Sequence, residues 1–156
     1  MKYLIPAFIT LLSLNVKAQE TAAVWQTDLA VAVDIAIREN KPLFLFFTGS
    51  DWCGWCKRLQ SEVFSKPEFA QWAKDKVVLV ELDFPRMKQL DPKIQQQNVE
   101  MAQMFEVRGY PTVWFVTASK QNTQVALGKL GSTGYVAGGP SVWISSANRI
   151  LTGQQQ

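Results

Sequence analysis

Residues 43–56 read Leu-Phe-Leu-Phe-Phe-Thr-Gly-Ser-Asp-Trp-Cys-Gly-Trp-Cys. The first six form an apolar run, which is typical of a strand that is buried on both faces. Residues 49–51 break that run with a glycine and two polar side chains. Cys53 and Cys56 follow at the start of a predicted helix that runs to about Val63. We therefore predict a strand, a turn and a helix, with both thiols of the chain at the helix start.

Alternating strands and helices surround this unit. Strands are predicted at residues 43–48, 77–83, 112–116 and 124–130, and helices at 25–40, 53–63, from 65 onward, at 91–105 and at 142–151. A β-α-β connection favours parallel strands, and the later hairpin adds antiparallel ones. The predicted fold class is α/β, with a central mixed sheet of about four strands, helices on both faces and an extra N-terminal helix. Residues 24–152 are predicted as one domain, followed by a disordered tail at 153–156.

Local signals refine the ends of these elements. Thr27 or Asp28 is expected to cap the first helix. Ser65 is expected to cap the helix that follows it, because Glu68 stands three residues later as in a capping box. The sequence Gln-Gln-Gln-Asn at residues 95–98 is interpreted as a solvated face of the next helix.

Residues 1–18 have the order of a secretory signal peptide. A lysine precedes an apolar stretch, and Val16 and Ala18 supply the small residues for cleavage before Gln19. The apolar stretch is shorter than the roughly 20 residues of a membrane span, and an uncleaved N-terminal anchor is the alternative. Residues 19–23 are then a linker. We expect the mature protein in the periplasm or outside the cell, where disulfides persist.

The composition excludes several kinds of site and partner. The 156 residues include two cysteines and no histidine, which rules out histidine-dependent triads and histidine-ligated metal sites. The formal charge is +3, and two of the 16 basic residues lie in the signal peptide, which leaves the mature chain at +1. Such a weak charge predicts no nucleic-acid partner. We expect no metal, no cofactor and no membrane span after the signal peptide.

The two cysteines are separated by two residues at a predicted helix start. Residues three apart lie on one face there, close enough for a disulfide. Because so short a loop removes little chain entropy from the unfolded state, the disulfide stabilises the fold only weakly. We therefore expect its function to lie in being reduced and re-formed. Unpaired N–H groups and the positive end of the helix dipole favour a thiolate at Cys53. The alternatives are half of a zinc site and an inert structural bridge.

Two segments of the chain stand out beside the order of its elements. They are Trp52-Cys53-Gly54-Trp55-Cys56-Lys57 and Arg108-Gly109-Tyr110-Pro111-Thr112. Together with the β-α-β-α-β-β-α order, they resemble the thioredoxin superfamily over residues 24–152. Residues 48–53 and 134–140 are similar to a branch of small exported bacterial thioredoxin-like proteins, here with a Cys-Gly-Trp-Cys motif.

The resemblance implies a disulfide oxidoreductase. Cys53 would be the exposed nucleophile that forms a mixed disulfide, and Cys56 would resolve it. Pro111 would be the family's cis-proline, beside which the backbone of the preceding residue pairs with substrate. The candidate substrate contacts are Trp52, Trp55 and Tyr110. The implied partners are protein or small-molecule thiols and disulfides and an upstream thiol redox partner, and we expect a monomer.

The sequence departs from the family at the site of proton transfer. Thioredoxin has a buried aspartate in the strand below the cysteines, and an ungapped match places Phe47 there. Glu81 stands in the next strand, where the family often carries lysine. Our hypothesis is that Glu81 has a raised pKa and exchanges a proton with Cys56. The alternative is a Glu81 that points to solvent or pairs with a lysine.

Two other functions stay open at this point. One is a non-catalytic binding or chaperone-like module that uses the disulfide passively, and the other is metal delivery by the dithiol. Turnover would distinguish the first from an enzyme, and a metal titration would decide the second. The direction of electron flow does not follow from the residues.

Overall fold

A computed structural model describes residues 22–122 and 124–154 of the protein. The predicted signal peptide at 1–18 lies outside the described residues, as do 19–21 of the predicted linker and 155–156 of the predicted tail. The strands are β1 (Trp25–Gln26), β2 (Leu43–Thr48), β3 (Val78–Asp83), β4 (Thr112–Gln121) and β5 (Gln124–Thr133), and the helices are α1 (Leu29–Glu39), α2 (Gly54–Leu59), α3 (Pro67–Lys76), α4 (Pro92–Met104) and α5 (Gly139–Leu151). A π-helical turn, Gln60–Phe64, continues α2.

The five strands form one mixed sheet in the order β1-β3-β2-β4-β5. β3 is parallel to both β1 and β2, and β4 is antiparallel to both β2 and β5. This confirms the mixed α/β sheet, with β1 as one strand more than predicted. The helix expected from Trp25 begins instead at Leu29, because the Asp28 carboxylate accepts the Ala30 amide at 2.9 Å and caps it there.

β2 is buried on both faces and separates two hydrophobic clusters. Phe44 and Phe46 pack in the cluster that also contains both cysteines, which we call the cysteine-side cluster. Leu43, Leu45 and Phe47 pack in the cluster on the opposite face. α2, α3 and α5 supply buried residues to the first cluster, and α1 and α4 supply them to the second. The prediction of helices on both faces is therefore confirmed.

The cap predicted for α3 is wrong. Lys66 is the N-cap residue, with no hydrogen bond from its side chain to the helix, and Pro67 is the first helical residue. Ser65 ends the preceding π-helical turn, and its hydroxyl donates to the carbonyl of Ser61 at 3.1 Å. The pattern misled because Ser65 closes the preceding helical turn, so it is not available as the N-cap of α3.

The glutamine-rich face predicted for α4 is also not simply solvated. Asn98 is 1% exposed, and its Nδ2 donates to the carbonyl of Asp83 at 2.9 Å. The Gln97 amide accepts from the Leu29 amide at 2.8 Å and donates to the carbonyl of Thr27 at 3.0 Å. These amides satisfy backbone groups at the ends of other elements, and they tie α4 to the start of α1 and to the end of β3.

The β4–β5 hairpin is longer than predicted. Pairing runs from the Val113–Thr133 pair to the Gln121–Gln124 pair, so residues 117–121 lie in a strand and not in a loop. Their side chains are mostly exposed. Strand pairing needs only backbone partners, so these polar residues join the strand without an apolar pattern that would predict it.

Candidate active site

The two cysteines form a disulfide at the start of α2. Cys53 is the N-cap residue, and its Sγ accepts the amide N–H of Cys56 at 3.2 Å. The sulfur of Cys53 therefore satisfies one of the backbone amides that the helix start leaves unpaired. Cys53 is 6% exposed and Cys56 is 2% exposed, so both are buried in the disulfide form. Cys53 is the more accessible of the two, but it is not the exposed residue that the resemblance implies.

Hydrogen bonds tie the loop before the disulfide to the loop after β3. The amide and hydroxyl of Ser50 donate to the Asp83 carboxylate at 2.8 and 2.6 Å. The Asp51 carboxylate accepts the amides of Arg86 and Met87, the latter at 2.7 Å. The Met87 amide is the main cause that holds the pKa of Asp51 below its usual range. The two carboxylates therefore hold the loop that leads into Cys53 in a fixed position.

Trp52 and Tyr110 lie next to each other. The indole Nε1 of Trp52 donates to the carbonyl of Phe84 at 2.8 Å, and the Arg86 guanidinium carbon lies 3.9 Å from the centre of the indole. The Tyr110 ring centre is 5.8 Å from that of Trp52, and the Tyr110–Pro111 peptide bond is cis, as the resemblance implies. The structure thus brings the second sequence segment beside the motif, and the indole N–H of Trp52 is used inside the protein.

Trp55 is the exposed side chain of the motif, with 55% of its surface accessible. Its ring centre lies 5.0 Å from that of Tyr135. The Arg58 guanidinium carbon lies over both rings. No local pattern in the sequence predicts a role for Tyr135 or Arg58, although Tyr135 belongs to the stretch at 134–140 that carries part of the resemblance.

Glu81 lies on the face of the sheet that carries the cysteines. It pairs in register with Phe46 of β2, which belongs to the cysteine-side cluster. Phe47 packs on the opposite face. The ungapped match to Phe47 is therefore wrong by one residue, because side chains alternate along a strand and Phe46 is the one that faces the cysteines.

The surroundings of Glu81 favour its neutral form. Glu81 is half-buried and lines a cavity of about 260 Å³ together with Asp83 and Lys88. Desolvation raises the pKa of Glu81, the charge of Asp83 raises it further, and Lys88 lowers it. Lys88 Nζ pairs with the Asp83 carboxylate at 2.9 Å. The carboxyl of Glu81 is thus neither fully solvated nor the main partner of that lysine.

The described residues contain no group of three or more His, Cys, Asp or Glu side chains that could hold a metal ion.

The sequence of residues 29–129 matches the profile of a family described as thioredoxin-like domain. The chain belongs to this thioredoxin-like family. The disulfide bond reductase DsbH of Chlamydia pneumoniae is 31% identical over 127 residues, which cover 81% of this chain and 72% of that protein. The thioredoxin-related protein DsbJ of the same organism is 32% identical over 108 residues, which cover 65% of this chain and 31% of DsbJ.

Solved structures show the same architecture. A DsbH oxidoreductase has a TM-score of 0.76 and 30% sequence identity, with 85% of this chain and 86% of that chain covered. A thioredoxin from Thermus thermophilus has a TM-score of 0.62 at 14% identity, over 84% of this chain and 88% of that one, which supports the fold alone. Together with the Cys53–Cys56 pair, the homology to DsbH and DsbJ supports a thiol–disulfide oxidoreductase.

The raised pKa of Glu81 predicts a specific pH dependence of stability. A carboxyl whose folded-state pKa is raised stabilises the fold below its unfolded pKa, and this contribution is lost as pH rises through the folded pKa. The variant Glu81→Gln lacks this loss. We expect the free energy of unfolding of Glu81→Gln, relative to wild type, to increase from about pH 4 to about pH 8.

Urea denaturation of the oxidised proteins at several pH values measures this difference. Glu100→Gln makes the same charge change on the exposed side of α4 and serves as the control for net charge. A difference between Glu81→Gln and wild type that stays constant with pH would contradict the prediction.

Proposed function

We propose that the protein is an exported disulfide reductase that acts on polypeptide substrates through Cys53 and Cys56. The observation that carries the proposal is the disulfide-bonded pair at the start of α2, with Cys53 as the more accessible residue. The reducing direction is supported by the similarity to a relative whose name is a disulfide bond reductase. All the groups in the proposal belong to one chain, so a monomer suffices.

The proposed reaction moves two electrons from the cysteine pair to a substrate disulfide. The Cys53 thiolate attacks one substrate sulfur, a mixed disulfide forms, and one substrate thiolate leaves. The Cys56 thiolate then attacks Cys53 Sγ, the second substrate thiolate leaves, and the Cys53–Cys56 disulfide forms. An upstream dithiol donor reduces this disulfide by the same exchange and becomes oxidised itself.

Glu81 is proposed as the base that takes the proton of Cys56. Two facts support this role: its pairing with Phe46, which places it on the cysteine face, and its raised pKa. The cavity of about 260 Å³ that Glu81 lines has room for water beside its carboxyl. We propose that the proton passes between this carboxylate and the buried thiol through water. A carboxyl with a raised pKa is a better base than an ordinary one once it is ionised.

Residues 109–111 are proposed to hold the substrate backbone. The Tyr110–Pro111 bond is cis, and Tyr110 packs against Trp52 and Phe84, with ring centres 5.8 and 5.3 Å apart. This packing gives the turn a fixed place next to the motif. Trp52 contributes to substrate binding mainly by packing against Tyr110 and keeping it in place. Direct contact between the exposed part of Trp52 and the substrate is secondary.

Export is proposed from residues 1–18, whose order is that of a cleaved signal peptide. A redox-active disulfide persists in an oxidising compartment, which agrees with a periplasmic or secreted protein. Within the described residues, no helix is both long and apolar enough to cross a membrane.

The roles of the two cysteines predict different behaviour of their serine variants. With dithiothreitol as donor, we expect wild type to accelerate insulin reduction and Cys53→Ser to fall to the rate of dithiothreitol alone. Cys56→Ser keeps the attacking sulfur and lacks the resolving one, so we expect it to trap a mixed disulfide with insulin. Non-reducing gels and turbidity measure the two effects.

The redox potential of the pair tests the direction. We expect a value near that of thioredoxin, about −270 mV, and a value near about −120 mV would identify an oxidant instead. Equal insulin reduction by wild type and Cys53→Ser would favour a binding module that uses the disulfide passively.

Replacing the proposed base should change the rate and its pH profile. We expect Glu81→Gln to resolve a mixed disulfide about a hundredfold more slowly than wild type, which is the lower end of what a positioned acid or base contributes. The wild-type rate should fall as pH drops through the pKa of Glu81, and the variant should lack this step. Stopped-flow measurement from pH 5 to 9 (roughly the range that titrates a raised carboxyl and a thiol) gives both results. Unchanged rates and an unchanged thiol pKa would remove Glu81 from the mechanism.

Processing of the full chain tests export. Expression in a bacterium should give a periplasmic protein whose first residue is Gln19, because Val16 and Ala18 fit the cleavage site. Intact mass and N-terminal sequencing identify the product. Ala18→Lys should retain the precursor. A wild-type protein that keeps residue 1 and stays in the membrane fraction would show the uncleaved anchor.

A further inference from the structure

Trp55 presents an aromatic surface directly inside the redox motif. It is 55% exposed. Every other phenylalanine, tyrosine and tryptophan among the described residues is buried or partly buried. It stands two residues after Cys53, so a polypeptide that brings a sulfur to Cys53 also comes close to this ring. An exposed tryptophan keeps a large apolar surface in contact with water, which is unfavourable in free energy. Tryptophan is also enriched among the few interface residues that contribute most of the binding free energy.

Two other side chains hold the ring in place. The ring centre of Tyr135 lies 5.0 Å from that of Trp55, at an angle of 50°. The guanidinium carbon of Arg58 lies 5.4 Å from the Trp55 ring centre and 5.2 Å from the Tyr135 ring centre. Such distances are favourable for aromatic pairs and for a cation over a ring. We call these three residues, Trp55, Arg58 and Tyr135, the Trp55 platform.

Glu62 forms hydrogen bonds with both supporting residues, Arg58 and Tyr135. One carboxylate oxygen accepts from Arg58 Nε at 2.7 Å, and the other accepts from the Tyr135 hydroxyl at 2.5 Å. Glu62 sits in the π-helical turn that follows α2, and such turns often occur at functional sites. With both oxygens engaged, the platform is ordered before any substrate arrives, which lowers the entropy lost on binding.

The charge balance of the platform points to an apolar ligand. The Arg58 guanidinium is matched by the Glu62 carboxylate at 2.7 Å, so it does not offer an unpaired charge. What remains accessible is the surface of the Trp55 ring. A flat, rigid ring whose neighbouring guanidinium is already paired gains most from contact with another apolar or aromatic side chain.

We propose that the Trp55 platform selects polypeptide substrates with an aromatic side chain next to the cysteine that Cys53 attacks. This specificity rests on the proposed reductase function and adds to it a chemical class of substrate. Trp55 is the contacting residue, and Arg58, Tyr135 and Glu62 are positioning residues.

Paired peptides test the selection directly. Two peptides, each with one internal disulfide, differ only in a phenylalanine or a serine beside one cysteine. We expect wild type to reduce the phenylalanine peptide with a kcat/KM about three- to tenfold higher, as one aromatic contact supplies. In Trp55→Ala the ratio should fall to about one. The ratio compares two substrates of the same enzyme, so a shift in redox potential caused by the substitution affects both rates alike.

Two further variants separate positioning from general damage. Tyr135→Phe keeps the ring and removes the hydroxyl bonded to Glu62, and we expect a ratio between those of wild type and Trp55→Ala. Val125→Ser changes an exposed apolar residue on β5, outside the platform, and should keep the wild-type ratio.

Each possible outcome decides between the two proposals. Equal rates for both peptides with wild type would overturn the selection and leave the reductase function standing. A preference that survives in Trp55→Ala would also overturn it, as would rates that follow the charge of the neighbouring side chain when glutamate or lysine replaces serine. Failure of wild type to reduce any of the peptides would overturn the reductase function and the selection together.

Discussion

Burial of β2 on both faces is the constraint on which the active site depends. Its six residues are all buried, and they alternate between the two clusters. The strand therefore cannot slip in register without moving every side chain to the wrong cluster. Since the loop to Cys53 begins where β2 ends, this fixed register sets the position of the disulfide. The chemistry lies at the end of the most constrained element of the fold.

The carboxylates of Asp51 and Asp83 hold the loop between β2 and the disulfide in place. They accept side-chain and backbone donors and so bind the loop before the motif to the loop after β3. Asn98 donates to the carbonyl of Asp83 from α4, so the same point also anchors a helix from the opposite face. Two short loops that would be mobile alone thus behave as one part of the scaffold. A rigid scaffold keeps reacting groups in productive geometry.

The sequence was sufficient for the sheet, the helices and the position of the motif, because long apolar runs and the paired cysteines are strong local signals. It was insufficient for β1, since two residues are too few to show a period and the apolar pattern of α1 extended over them. It misread Asn98 because a buried amide and a solvated amide look alike in sequence. The support of Trp55 by Tyr135 was out of reach, because the two residues are 80 positions apart and only the fold brings them together.

The direction of β1 has a consequence for how the protein presents its site. β1 is parallel to β3, which is itself parallel to β2, so all three enter the sheet at one end and leave it at the other. Residues 22–24 lie with Lys41 and Val77, which precede β2 and β3, and the disulfide follows the far end of β2. The N-terminal side of the domain and the cysteines are therefore at opposite poles. Anything fused or tethered at that end would therefore lie away from the redox pair.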